Sequence, residues 1–130
     1  MKKILFLLLL LIPLFANAQY WYTANAMRFK YGNELEEWQK CNLRVFIDKK
    51  NNVTIYGSND NIELRSVNDD YKLKEDSEGN SRLSWVCVDD EGKKCMPILI
   101  SDKAVTFIYL AIHYPDKGFA IFYNLVPDRS

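Results

Sequence analysis

Histidine is nearly missing from this sequence: His113 is the only one in 130 residues. A zinc site built from several imidazoles is therefore excluded. Any nucleophile needing a histidine base would have to use this one side chain. Ser101 or Ser84 could be set against it, but neither lies in a nucleophile elbow, so His113 reads as a surface or edge residue. Glycine is sparse as well, with 5 in the chain, and forms no phosphate-cradling loop. The acidic runs Asp69-Asp70 and Asp89-Asp90-Glu91 lack the ligand spacing of a calcium loop and read as turn residues. Charge of one sign is absent too: 17 basic residues face 17 acidic ones. That removes the basic footprint of a nucleic-acid binder. Neither a cofactor nor a metal is expected.

Long apolar runs are confined to the start. Met1-Lys2-Lys3 precedes an uninterrupted apolar stretch from Ile4 to Leu11, and Ile12-Pro13-Leu14-Phe15 leads into Ala16-Asn17-Ala18. This is the basic, apolar and small-x-small order of a secretory signal peptide. The stretch is short of the ~20 residues a membrane helix needs, and the Ala-x-Ala ending favours cleavage over a retained anchor. Residues 1–18 are thus expected to be removed, leaving 19–130 as a single β domain with no membrane span. No cysteine follows the cleavage point, which disfavours a lipid anchor. The expected location is periplasmic or extracellular. Loss of Lys2 and Lys3 leaves the mature chain with a small acidic excess.

What the mature chain does contain is alternation broken by turns. Three breaks share one chemistry: Asp48-Lys49-Lys50-Asn51-Asn52, Asp76-Ser77-Glu78-Gly79-Asn80 and Asp89-Asp90-Glu91-Gly92-Lys93. Each offers a type I turn followed by Asn or Gly where a left-handed residue is wanted, the pattern of a three-residue hairpin loop. Tyr114-Pro115-Asp116-Lys117-Gly118-Phe119 supplies a fourth hairpin. These turns predict registers. Ile47 should face Val53 and Val45 face Ile55. Leu73 should meet Leu83, and Tyr71 meet Trp85. Cys87 should meet Cys95, with Leu83 opposite Leu99. A tight turn at Asp102-Lys103 would pair Leu99 with Thr106. Ile108, Leu110 and Ile112 would then meet Leu125, Tyr123 and Ile121.

In each case the alternation of apolar residues agrees with the turn, and a slip of one residue would destroy the agreement. The expected fold is all-β, an antiparallel up-and-down meander of about eight strands in a closed or half-open small barrel. Tyr20 to Tyr31 reads as the first strand. Asn33 to Lys40 reads as a helical turn or an irregular loop, with Trp38 as an apolar plug.

An exported chain permits disulfides, and its 3 cysteines leave one over. The register makes Cys87–Cys95 the first expectation, with Cys41 free and buried. The rival is a longer bridge from Cys41 to Cys87 or Cys95. A catalytic thiol would need an adjacent base.

The least expected feature lies on the outward parity of the C-terminal strands. Met96, Ile98, Ile100, Val105, Phe107, Tyr109, Ala111, Ala120 and Phe122 share it, although a solvated face should be polar. Such a patch is buried against something. Either the N-terminal segment or Trp38 folds over it, or it is a partner or homodimer surface, with Ile98, Ile100, Phe107, Tyr109 and Phe122 as the interaction face. A third possibility turns the assignment inside out and makes it a ligand cavity.

Trp38-x-x-Cys41, Leu43-Arg44-Val45-Phe46-Ile47-Asp48 and Cys87-x-Asp89-x-x-Gly92-x-x-Cys95 together resemble small uncharacterised exported proteins of Bacteroidetes-type bacteria. The resemblance implies a compact β domain and carries no activity with it. The meander is also similar in architecture to calycin-type barrels, without their Gly-x-Trp opening. The functional expectation is a non-enzymatic binding module for a protein or a small apolar ligand. A self-associating envelope protein is the alternative, and a carboxylate-pair hydrolase ranks below both.

Overall fold

The computed structural model describes residues 20–57, 59–104 and 106–127, including their side chains except at 20, 68–70 and 127. The leader assigned to 1–18 lies outside the described residues. The chain forms β1 (Tyr20–Tyr31), β2 (Glu34–Leu35), β3 (Gln39–Ile47), β4 (Val53–Tyr56), β5 (Asn61–Glu75), β6 (Ser81–Val88), β7 (Lys94–Ser101), β8 (Ile108–Tyr114) and β9 (Phe119–Pro127).

The three Asp-led turns are built alike, which explains why the strands start where they do. Asp48 Oδ1 accepts the N–H groups of Lys50 and Asn52, each at 2.9 Å. Asp76 does the same for Glu78 and Asn80 at 3.0 and 2.9 Å. Asp89 does it for Glu91 and Lys93 at 3.0 and 2.8 Å. Asn51, Gly79 and Gly92 take the left-handed position at φ of 68°, 84° and 78°. The side-chain oxygen thus satisfies the turn's own N–H groups, and the left-handed residue directs the chain back along its partner strand.

The registers follow from those turns. Ile47 faces Val53 and Val45 faces Ile55. Leu73 faces Leu83 and Tyr71 faces Trp85. Leu83 faces Leu99 and Cys87 faces Cys95. At the fourth hairpin Ile108, Leu110 and Ile112 face Leu125, Tyr123 and Ile121.

The turn between β7 and β8 differs from expectation. Leu99 pairs with Leu110, not Thr106. The connection runs over residues 102–107 because Asp102 organises a wider loop, accepting the Thr106 N–H at 2.6 Å and the Thr106 hydroxyl as well. Moving the partner of Leu99 from 106 to 110 is an even shift, so it leaves every side chain of β8 on its expected face.

Antiparallel pairing runs through β3 to β9 in chain order, and β1 pairs with both β3 and β9. The sheet therefore closes into a barrel of eight antiparallel strands, with β2 attached only to the end of β1. Closure leaves no long unpaired edge among those eight. A bulge between Ala24 and Ala26 shifts both ladders of β1 together, so one strand bends while serving two neighbours. Between β1 and β3 the chain has no helical turn: it reverses at Gly32 and Asn33, forms β2 and runs irregularly through Trp38.

Inward parity fills the barrel. Val45, Ile47, Val53, Cys87, Cys95 and Leu110 have no solvent exposure, and Trp85 and Tyr123 are almost as deeply buried. At about 1.5–3 kcal/mol per large side chain, this burial is the main stabilising contribution. Tyr71, at the irregular part of β5, is the exception among the expected inward residues and is 44% exposed.

Candidate functional site

The expected disulfide is not formed. Cys41, Cys87 and Cys95 are all free thiols, so neither the Cys87–Cys95 bridge nor a longer one from Cys41 exists. Position alone was read correctly, since Cys87 and Cys95 are direct cross-strand partners. Asp89 N–H donates to Lys93 C=O at 2.9 Å. Val88–Lys94 and then Cys87–Cys95 follow along the ladder. Alternation makes the cysteine pair a hydrogen-bonded one, with Cα atoms ~5.5 Å apart, a spacing that a disulfide accepts; it is the direction of the side chains, not the spacing, that leaves the thiols apart. Cys87 Sγ lies 4.0 Å from the Asn51 carbonyl, and the Cys41 thiol donates to the Ala24 carbonyl at 3.3 Å.

Burial pushes the Cys87 thiol up to about 12, with the neighbouring Cys95 adding to the shift. It pushes Cys95 up to about 11, assisted by Asp89, and raises Cys41 as well. A thiol must ionise to attack, and the charge that would assist here has the wrong sign. Disulfide-exchange titration of the folded protein at neutral pH should therefore find Cys87 and Cys95 unreactive. All 3 cysteines should react once denaturant opens the barrel. One fast equivalent at either position in the native state would contradict the burial described here.

The polar residues singled out in the sequence do not converge. His113 is exposed on the outside, opposite Met96 and Ala120 in the ladders. Ser101 is buried, and its hydroxyl donates to the Asp102 carbonyl at 3.0 Å. Ser84 is half-buried on the outer face. Among the described residues, no three His, Cys, Asp or Glu side chains are gathered to hold a metal ion.

The outer apolar face is real, and much of it is covered by the chain itself. Ile100 lies opposite Tyr109, Ile98 opposite Ala111, and Ala111 opposite Phe122. Trp38 packs on Tyr109 with ring centroids 5.4 Å apart, and Phe107 stacks on the other side at 4.5 Å. The Arg28 guanidinium lies 4.4 Å from the Trp38 ring centre and 5.8 Å from that of Phe122. Trp38 is thus a plug, as expected, but one that closes the outside of the sheet. Ile100, Ala111 and Ala120 are buried, while Ile98, Phe107, Tyr109 and Phe122 are half-buried. Val105, assigned to the same face, lies outside the described residues.

What Trp38 leaves open is the part of the face nearer β5. There a cleft of about 420 Å³ runs between Lys72, Lys74 and Arg82 on one side and Val86, Met96 and Ile98 on the other. It sits where the β5–β6 ladder is irregular between Ser66 and Tyr71. A smaller hollow of about 110 Å³ continues from Ile98 past Ala111 to Phe122. The sequence indicated Ile98 and Phe122 but did not single out Lys72, Lys74, Arg82 or Arg28. The available signal was their shared parity with Met96 and Ile98. What parity cannot show is which strands stand side by side.

These features define a class: a small closed antiparallel barrel with a filled interior and an open external cleft. No protein-family model, no curated protein and no solved structure matches this chain. Among the described residues no helix is long and apolar enough to cross a membrane.

Proposed function

We propose that this chain is an exported, non-enzymatic binding module of the periplasm or extracellular space that binds through the outside of its barrel. The observation that carries the reading is a contrast. The interior is packed with side chains such as Leu110 and Trp85, whereas the outer face offers a cleft of about 420 Å³ with an apolar floor. That volume lies in the ~300–1,000 Å³ range of ligand clefts. The leader-like residues 1–18 and the resemblance to exported proteins support the location. Self-association through Phe107, Tyr109 and Phe122 is the weaker reading, because Trp38 already rests on Tyr109 and Arg28 on Phe122.

A neutral fluorescent probe, N-phenyl-1-naphthylamine, tests the site. It should bind the purified protein saturably with one probe per chain. Met96→Glu places a carboxylate on the cleft floor and should weaken binding about tenfold or more, with little change in melting temperature because the position is half-buried on the outer face. No saturable binding, or binding indifferent to Met96→Glu, rejects the external site.

A further inference from the structure

We infer that the cleft takes a single-chain amphiphile with an anionic head, its head held by Lys72, Lys74 and Arg82 and its hydrocarbon chain laid over Val86, Met96 and Ile98. This rests on the external-site reading and goes on to name the ligand chemistry.

The first argument is charge segregation. The whole chain balances 17 basic against 17 acidic residues, yet the outward positions of β6 to β9 contain no Asp or Glu. The outward residues of β6 are Arg82, Ser84, Val86 and Val88; those of β7 are Lys94, Met96, Ile98 and Ile100. On β8 and β9 they include Tyr109, His113, Phe122 and Asn124. In the adjoining turns Asp76 and Asp89 cap backbone N–H groups. A cleft lined by Lys72, Lys74 and Arg82 over an apolar floor, with no Asp or Glu among its lining residues, is complementary to a molecule that is both greasy and negative.

The second argument is the state of the cations. Among the described residues Lys72 and Lys74 make no ion pair. Arg82 makes one, with its Nε 3.5 Å from Asp76 Oδ2, and its side chain remains 48% exposed. These heads are therefore available to an incoming anion. Their aliphatic stems can cover apolar ligand surface while the charged ends stay in water.

The third argument is shape. Ile98 borders both the larger cleft and the smaller hollow toward Phe122. The larger cleft holds Lys72, Lys74 and Arg82 beside Met96 and Ile98, and the hollow beyond Ile98 is lined mainly by Ala111, Phe119 and Phe122, together with Lys30 and His113. A linear chain fits such a cleft extended by a hollow. A nucleic acid would need a row of open rings for stacking, whereas Tyr109 and Phe122 are covered by Trp38 and Arg28.

Calorimetric titration with sodium dodecanoate, kept below its micelle concentration, tests this with the full chain. The expected result is saturable binding of one molecule per chain. Dodecyl maltoside and dodecyltrimethylammonium, with the same tail and neutral or cationic heads, should bind at least about tenfold more weakly. Lys72→Glu with Lys74→Glu should weaken dodecanoate by a similar factor, and by several-fold more than it weakens the neutral probe N-phenyl-1-naphthylamine, with melting temperature in place. Three results overturn the inference: equal affinity for all three heads, indifference to the double charge reversal, or no binding of monomeric dodecanoate alongside co-sedimentation with phosphatidylglycerol vesicles. The last would make the face a membrane-surface contact. In the first two, retained probe binding sensitive to Met96→Glu would keep the external site while rejecting the anionic ligand.

Discussion

Replacing Trp85 by alanine is expected to destabilise the barrel by about 3–5 kcal/mol, the usual range for removing a large aromatic side chain from a packed core. Trp85 is 2% exposed and occupies the middle of β6, whose burial alternates strictly from Ser81 to Val88. It also joins two distant parts of the chain. Its indole N–H donates to the Asn51 carbonyl at 3.0 Å, and Asn51 is the left-handed residue of the β3–β4 turn. Trp85→Phe keeps most of the ring volume but leaves that carbonyl without its indole donor, so it should cost less, about 1–3 kcal/mol. Urea unfolding followed by far-ultraviolet circular dichroism measures both. Equal losses for the two variants would mean that the hydrogen bond, and not the packing, dominates at this site.

Leu110→Ala is the second large effect, with an expected loss of about 2–5 kcal/mol. Leu110 has no exposed surface. It stands between Leu99 on β7 and Tyr123 on β9, so truncation leaves a cavity bounded by cross-strand neighbours that cannot move apart without breaking ladder bonds. The same variant separates inside from outside. If ligands bind in the external cleft, the affinity for N-phenyl-1-naphthylamine should be unchanged while the unfolding midpoint falls. A loss below about 1 kcal/mol would indicate an interior loose enough to collapse around the missing atoms. A large change in probe affinity at unchanged fold would place the ligand inside the barrel.

How far the sequence could be read depends on the range of each interaction. The turns at Asp48, Asp76 and Asp89 were legible because all their chemistry lies within five consecutive residues, and their registers follow from side-chain parity. Parity also protected the reading of β8: an incorrect partner for Leu99 still left Ile108, Leu110 and Ile112 inward. The first half of β5 was harder to recognise, because the connection from β4 lacks that Asp-led chemistry. Among the described residues it closes with a Gly57 N–H to Asp60 C=O bond at 3.2 Å, and Leu64 in the core was missed as a result. The disulfide expectation failed on a finer point. Facing positions at a suitable Cα spacing do not fix the direction of the side chains, and Cys87 Sγ lies against the Asn51 carbonyl instead.

The alternation and the Asp-led turns determined, without any coordinates, that the chain is an antiparallel meander and which side chains of the β3–β4 hairpin and of β6 to β9 face inward. Tertiary structure alone decided that the meander closes, because β1 meets β9 through residues such as Phe29 and Ile121, which lie far apart in the chain and share no local signal. It alone set Trp38 and Arg28 over one part of the outer face and left another part open beside Lys72 and Lys74. Which side chains become neighbours across strands depends on strand order and on an irregular ladder, and neither leaves a period in the sequence.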